Sequence, residues 1–218
     1  MTFPNLTAVD VVCWDWNGTL LDDVEIARAA MNSVLSERGL PVLQDPVSYR
    51  RAFGFPIRDF YARLGIGEDD FRLAASRYLE LFAAQVGVAA LHAEARSTLS
   101  AVTALGVQQV LISATLERTL AEQMAPHDLT DHFAQVLGIA DAYMPSKADV
   151  VHAWLKASGH DPGRVLMIGD TNHDEEIAQD LNVRFLRFAG GHQQPRDDAQ
   201  GPMVHRLSDV LQHLRRLP

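Results

Sequence analysis

The stretch VVCWDWNGTLLDD at residues 11–23 runs from four apolar residues into an aspartate, an asparagine and a glycine. A short apolar run of this kind is typical of a strand buried on both faces of a parallel sheet. Gly18 permits the tight exit from the strand that a side chain would obstruct. The stretch therefore predicts a buried first strand with Asp15 at its carboxyl end, where open parallel sheets bind ligands.

Five further short apolar runs follow, and amphipathic helical patterns separate them. They lie at 108–113, 134–139, 164–169, 183–188 and 203–207. Strands that alternate with helices predict βαβ units, and hence an α/β fold with a Rossmann-like three-layer core around a parallel sheet.

The first two strands are separated by roughly ninety residues, far more than one crossover connection needs. Apolar residues at helical spacing fill most of this interval, which predicts an inserted, mostly α-helical cap domain at 22–92. Residues 1–21 and 93–218 are then the α/β core. The polar, turn-rich segment GGHQQPRDDAQGP at 190–202 predicts a surface loop.

Composition restricts the partners of the chain. A formal net charge of −9 gives no electrostatic footprint for nucleic acid or an anionic membrane. The N-terminus lacks signal-peptide features and no apolar run is long enough to span a bilayer, which predicts a cytoplasmic protein. The expected oligomeric state, a monomer or a homodimer, does not follow from these features. The single cysteine, Cys13, lies inside the first strand, so it is interpreted as a core residue and not as a nucleophile.

Four groups of polar residues fall at or near the ends of predicted strands. Asp15 follows the first strand, Ser113 ends the second, Lys147 precedes a helical pattern, and Asp170 and Asp174 follow the strand at 164–169. Each residue alone has an ordinary interpretation as a helix cap or a surface side chain. Their joint occurrence in this order indicates a single site.

The chemistry of these groups suits a phosphate and a metal ion. Carboxylates brought together repel each other unless a cation lies between them, and hard oxygen ligands suit Mg²⁺. The hydroxyl of Ser113, backbone amides near Gly18 and the ammonium of Lys147 are able to hold phosphate oxygens while a carboxylate attacks phosphorus.

Over nearly its whole length the chain resembles haloacid dehalogenase superfamily phosphohydrolases with a helical cap of the first type. It is most similar to the phosphoglycolate phosphatase-like group. Asp15 matches the D-x-D-G-T motif, Ser113 the hydroxyl motif, Lys147 the basic motif, and Asp170 with Asp174 the G-D-x-x-x-D motif.

The resemblance implies specific roles for these residues. Asp15 is the nucleophile that forms an aspartyl-phosphate, and Mg²⁺ binds Asp15, Asp170 and the main-chain carbonyl of Asn17. Asp174 ligates or supports the metal, and Lys147 stabilises the phosphoryl charge. Thr19 and Ala114, the neighbours of Gly18 and Ser113 in these motifs, are expected to contact the substrate.

Asn17 departs from the family pattern. The family's second aspartate protonates the leaving oxygen and then deprotonates the attacking water, and an amide does neither. General acid–base catalysis contributes about 10²–10⁴ in rate, so the difference matters. Three explanations stay open: a substrate with a good leaving group, another proton donor such as His173, or a protein that binds phosphorylated ligands with little turnover.

A second branch of the superfamily also has a non-acidic residue at this position. That phosphonatase branch forms a Schiff base with a lysine of its cap. The chain's only lysines are Lys147 and Lys156, and residues 22–92 contain none. Carbon–phosphorus cleavage by that route is therefore disfavoured.

The cap stretch YRRAFGFPIRDFY is the predicted specificity element. Gly54 lies in a tight turn there, and Arg58 is predicted to bind a second anionic group of the substrate. The equally favoured alternative places the arginines on a solvated helix face and Phe53 and Phe55 in the cap core.

Two functions follow. The leading one is a Mg²⁺-dependent phosphomonoesterase that acts on a small phosphorylated, phosphoglycolate-like metabolite. The alternative is a low-turnover or non-catalytic protein that binds phosphorylated ligands and retains the fold. The intact carboxylates and Lys147 favour the enzyme, and Asn17 favours the alternative.

Overall fold

The computed structural model describes residues 8–140, 146–195 and 201–214. Its strands are β1 (Val11–Trp14), β2 (Leu21–Asp22), β3 (Ala90–Leu91), β4 (Gln108–Leu116), β5 (Gln135–Ile139), β6 (Val165–Gly169), β7 (Arg184–Phe188) and β8 (Met203–Val204). Its α-helices are α1 (Val24–Ser36), α2 (Pro46–Ala52), α3 (Ile57–Arg63), α4 (Glu68–Val86), α5 (Ala95–Ala104), α6 (Glu117–Met124), α7 (Lys147–Ser158), α8 (Asn172–Asp180) and α9 (Val210–Leu214). None of these helices is long and apolar enough to cross a membrane.

Six parallel strands form the main sheet in the order β5-β4-β1-β6-β7-β8. The chain moves outward from β1 to β4 and β5, and then returns to the other side of β1 at β6. This reversal makes a topological switch point at the carboxyl ends of β1, β4 and β6, where such sheets bind ligands. The predicted α/β class with a parallel sheet is confirmed.

Both faces of the sheet are covered, which is why β1 is apolar throughout. Val12 and Trp14 pack into one hydrophobic cluster, whereas Val11 and Cys13 pack into the cluster on the opposite face. Burial raises the pKa of the Cys13 thiol well above its ordinary value. Cys13 is therefore a protonated core residue.

A helical insertion lies between the two short strands β2 and β3. These strands pair antiparallel, with Leu21 opposite Leu91, and α1 to α4 lie between them in the chain. The insertion has its own hydrophobic cluster, which includes Met31, Tyr49 and Phe60. It occupies the interval predicted for the cap, while the division of the chain into two domains at 22 and 92 stays a prediction.

The segment after β7 corrects one prediction, because its first residues are not an exposed loop. Gly191 and His192 are buried. Arg50 of α2 donates to the carbonyl oxygens of Gly190 and Gly191, at 2.9 and 2.7 Å, and thereby packs this segment against the helical insertion. Residues 196–200 of the predicted loop lie outside the described residues.

Candidate active site

The chain after β1 is held against β6. The backbone N–H of Asp15 donates to the carbonyl of Ile168 at 2.9 Å. Gly18 has a φ of +77°, and a Cβ atom there would lie 2.7 Å from Oδ2 of Asp170. Thr19 is fully buried and donates from Oγ1 to Oδ1 of Asp170 at 3.0 Å. The turn that Gly18 permits thus brings the ends of β1 and β6 together.

The end of β4 faces the same place. Its pairing with β5 shifts register between Ile112 and Leu116. Ser113 and Ala114 lie within this irregularity and line the cavity above Asp15. The Oγ of buried Ser113 accepts a hydrogen bond from the Thr115 backbone N–H at 3.1 Å, which fixes the hydroxyl.

Lys147 is the first residue of α7, which Ser146 caps. Its side chain is 4% exposed, and the ammonium donates to Oδ1 of Asp15 and, at 2.6 Å, to Oδ1 of Asp174. Burial opposes its charge, but Asp15 and Asp174 outweigh burial and raise the pKa of Lys147 above its ordinary value. The lysine is therefore a permanent cation between two carboxylates.

The residues after β6 both begin helix α8 and fix the carboxylates of the site. Thr171 caps α8 and donates from Oγ1 to Oδ2 of Asp174 at 2.6 Å. The backbone N–H of His192 donates to Oδ2 of Asp170 at 2.6 Å. Both carboxylates are thus fixed by neighbouring backbone and hydroxyl groups.

The three carboxylates form a buried acidic cluster. Asp15, Asp170 and Asp174 each offer one oxygen, and these oxygens lie within 4.8 Å of one another. Burial raises the pKa of Asp15 to about 7, although Lys147 opposes this shift, and burial also raises the pKa of Asp170. For Asp174, Lys147 outweighs burial and lowers the pKa. One lysine does not offset three carboxylates, so this donor set of hard oxygens fits Mg²⁺.

The structure gives a local reason for the amide at residue 17. Asn17 donates from Nδ2 to Oδ2 of Asp23 at 2.8 Å, and its Oδ1 accepts from Oγ1 of Thr115 at 2.8 Å. The other oxygen of Asp23 accepts from the backbone N–H of Gly18 at 2.8 Å. An aspartate at residue 17 would place a second carboxylate against the buried carboxylate of Asp23, whereas the amide donates a hydrogen bond to it.

The sequence analysis missed His192. Its Nε2 lies 2.9 Å from Oδ1 of Asp23 and its Nδ1 lies 3.0 Å from the hydroxyl of Tyr49 on α2. Burial disfavours the charged ring, but Asp23 outweighs burial and raises the pKa of His192 to about 9. The feature of the sequence that indicates this position is the pair of glycines before His192. A Cβ atom at Gly191 would collide with Asp170, so the segment approaches the site closely only with glycine there.

The other histidine, His173, lines the cavity. It is half-buried, and its ring centroid lies 4.8 Å from that of Phe55. Burial lowers the pKa of its imidazole. His173 is therefore held by a ring contact instead of projecting into solvent.

Most of the predicted site residues line the cavity, but not all of them. It is lined by Asp15, Asn17, Ser113, Ala114, Lys147, His173 and Asp174. Gly18, Thr19 and Asp170 meet one another directly beside it.

Gly54 and Arg58 do not line this cavity. Gly54 is buried under Gln193, whose Nε2 would lie 2.7 Å from a Cβ atom at that position. Arg58 pairs with Glu68 at the start of α4, and its guanidinium carbon lies 4.7 Å from the ring centre of Phe71. The prediction that Arg58 binds the substrate does not agree with this position, because α3 directs the side chain toward α4.

Comparison with known proteins identifies the family. Residues 12–188 match the haloacid dehalogenase-like hydrolase family. The chain belongs to this family. The resemblance inferred from the motifs is confirmed, and so is the predicted enzyme class, a hydrolase of the haloacid dehalogenase type.

Curated relatives of this haloacid dehalogenase-like hydrolase are bacterial. Phosphoglycolate phosphatase 1 of Pseudomonas aeruginosa is 27% identical over 217 residues, which cover 92% of this chain and 78% of that protein. Phosphoglycolate phosphatase of Chromobacterium violaceum is 28% identical over 204 residues, which cover 86% of this chain and 88% of that protein.

Solved structures show the same fold. A haloacid dehalogenase-like family hydrolase from Streptococcus pneumoniae matches with a TM-score of 0.81 at 21% identity, over 95% of this chain and 99% of that one. A predicted phosphoglycolate phosphatase from Haemophilus somnus matches with a TM-score of 0.78 at 16% identity, over 96% of this chain and all of that one. The predicted α/β class with a Rossmann-like core agrees with these neighbours.

Proposed function

We propose that this chain is a Mg²⁺-dependent phosphomonoesterase that hydrolyses a small phosphorylated metabolite through an aspartyl-phosphate on Asp15. The observation that carries the proposal is the buried cluster in which Lys147 holds Asp15 and Asp174 beside Asp170. Because curated relatives are named phosphoglycolate phosphatases, 2-phosphoglycolate is the first ester to assay.

Asp15, Asp170 and the main-chain carbonyl of Asn17 would hold the metal ion. Asp174 supports the site by fixing the ammonium of Lys147. When bound, Mg²⁺ supplies positive charge that offsets the carboxylates and orients the phosphoryl oxygens.

The first half-reaction transfers the phosphoryl group to the protein. The carboxylate of Asp15 attacks phosphorus, the bond from phosphorus to the ester oxygen breaks, and that oxygen leaves with the electron pair. The ammonium of Lys147 and the hydroxyl of Ser113 stabilise the phosphoryl charge.

The second half-reaction restores the nucleophile. Water attacks phosphorus, the bond from phosphorus to Asp15 breaks, and inorganic phosphate is released. The proton that water gives up balances the proton that the leaving oxygen finally takes. Asn17 donates no proton to that oxygen, so esters that need acid catalysis are expected to be slower by about 10²–10⁴.

Replacement of the nucleophile tests the proposal. Asp15→Asn is expected to abolish hydrolysis of every phosphate ester, and Asp180→Asn, at an exposed carboxylate at the end of α8, is the matched control that retains it. Chelation by EDTA is expected to stop the parent protein, and added Mg²⁺ to restore it.

Two outcomes would contradict the proposal. Full activity of folded Asp15→Asn would exclude covalent catalysis at this residue. Binding of phosphate esters by the parent protein without hydrolysis would instead support the low-turnover alternative.

A further inference from the structure

The cavity above Asp15 has an aromatic wall. Its volume is about 360 Å³, in the lower range for small-molecule sites. The side of the cavity formed by the helical insertion includes Phe53, Phe55, Phe60, Tyr61, Tyr78 and Phe82. A ligand group that lies here is surrounded by rings and not by water.

Within the part of the chain that the structure describes, the same cavity offers no unpaired cation to a second anionic group of the substrate. Among the described residues that line it, the basic ones are Lys147, His173 and His192. Lys147 is bound to two carboxylates and His192 to Asp23. His173 is half-buried, and its ring lies against that of Phe55.

None of the arginines in the described insertion lines the cavity either. Arg50 donates to backbone carbonyls of the segment after β7, and Arg58 pairs with Glu68 outside the cavity. A carboxylate on the substrate would therefore lose its water and face ring surfaces, whose π-electrons repel negative charge. The aromatic wall selects against small acidic esters and for an uncharged apolar group.

The side chain of Asn17 gives independent evidence about the leaving group of the substrate. Both polar atoms of its side chain are engaged with Asp23 and Thr115, and an amide is not an acid. A phenolic oxygen, with a pKa of about 10, leaves as an anion far more readily than an alkoxide, whose pKa is near the value of about 16 for water. A site without a general acid at this residue therefore suits an aryl oxide.

We infer that the preferred substrate is a small aryl phosphate, a phosphate monoester of a one- or two-ring aromatic alcohol with no second anionic group. This inference rests on the proposed function and names its substrate class. The bond from phosphorus to the aryl oxygen breaks as Asp15 bonds to phosphorus. The aryl oxide leaves with the electron pair and is protonated from solvent, and the water of the second half-reaction returns that proton.

Matched phosphate esters separate the two features of the substrate. Phenyl phosphate and 1-naphthyl phosphate have both the ring and the phenolic oxygen, benzyl phosphate has the ring with an alkoxide, and 2-phosphoglycolate has neither. With the full chain and Mg²⁺, kcat/KM for the two aryl esters is expected to exceed that for benzyl phosphate by about 100-fold, the lower end of the general-acid contribution.

Acetyl phosphate has a good leaving group without a ring. Its KM is expected to exceed that of 1-naphthyl phosphate by about tenfold or more, since burial of a ring contributes about 1.5–3 kcal/mol. Higher kcat/KM for 2-phosphoglycolate or benzyl phosphate than for the aryl esters would overturn the inference and leave the proposed function standing. Failure to hydrolyse any of these esters would overturn both.

An arginine introduced at the cavity mouth tests directly whether the cavity lacks a cation that binds a carboxylate of the substrate. Leu79 lines the cavity and is 62% exposed, whereas Leu73 on the same helix is 69% exposed and does not line it. Leu79→Arg is expected to raise kcat/KM for 2-phosphoglycolate relative to 1-naphthyl phosphate by up to about fivefold, the upper value for a partly exposed ion pair.

Leu73→Arg adds the same charge outside the cavity, so it is expected to leave that ratio unchanged. Both positions are exposed, and circular dichroism spectra should match the parent protein. An equal effect of the two arginines, or no effect of Leu79→Arg, would overturn the inference that the cavity lacks a carboxylate-binding group.

Discussion

Asn17→Asp places a second carboxyl group against a buried one. In the parent protein, Nδ2 of Asn17 lies 2.8 Å from Oδ2 of Asp23, which is fully buried. Two negative charges at this separation would repel by about 6 kcal/mol at an effective dielectric constant of about 20. The variant avoids this repulsion by keeping a proton on the new carboxyl group, which then donates to Asp23 as the amide did.

The retained proton makes the loss of stability depend on pH. In the unfolded chain the new group ionises with a pKa of about 3.9, and in the folded chain its pKa is raised. A raised folded-state pKa gives stability that is complete at low pH and lost as pH rises. At about 1.4 kcal/mol per pH unit, the variant is expected to be less stable than the parent by about 1.5 kcal/mol at pH 5 and about 4 kcal/mol at pH 7.

Urea unfolding at pH 5, 6 and 7 in EDTA, followed by the fluorescence of buried Trp14 and Trp16, measures these differences. The control combines Asn17→Asp with Asp23→Asn, which restores one amide and one carboxylate. It also removes the carboxylate partner of His192, so it is expected to be less stable than the parent, but its loss is not expected to grow from pH 5 to pH 7. A single variant whose loss is the same at all three pH values, or a double variant whose loss grows with pH as steeply as that of the single variant, would refute the reasoning.

Three further outcomes are expected. The Asn17→Asp, Asp23→Asn double variant should hydrolyse benzyl phosphate about tenfold faster than the parent or more, since it has a carboxyl group at residue 17; an unchanged rate would contradict an acid–base role for that position. Gly18→Ala should lower the free energy of unfolding by about 2–4 kcal/mol, because residue 18 has a φ of +77° and the new Cβ atom would collide with Asp170. Gly39→Ala is the control: its φ is +66° but no atom lies within 4 Å of the new Cβ atom, so the loss should be only about 1–2 kcal/mol. Equal losses in urea titrations would exclude the collision. Arg58→Ala should leave the KM for 2-phosphoglycolate within about twofold, because its guanidinium lies outside the cavity, and a large increase would return it to the site.

The sequence by itself determined the sheet and the strand-end part of the site. The apolar run of β1 predicts a strand buried on both faces, and parallel strands with intervening helices bring their carboxyl ends to one edge. Asp15, Ser113 and Asp170 therefore meet wherever such a sheet forms. Local pattern and sheet geometry are sufficient for these residues, because Asp15 and Asp170 directly follow strands and Ser113 lies within one.

Tertiary structure alone decided which side chains join them. His192 reaches Asp23 across 169 positions of the chain and Tyr49 across 143, and both contacts depend on how the segment after β7 packs against α2. The direction of α3 places Arg58 outside the cavity, and no feature of its local sequence encodes that direction. The hydrogen bond to Asp23 explains the amide of Asn17, and it exists only once the turn at Gly18 has closed. Such contacts depend on the packing of distant elements, whereas the strand ends depend on local periodicity.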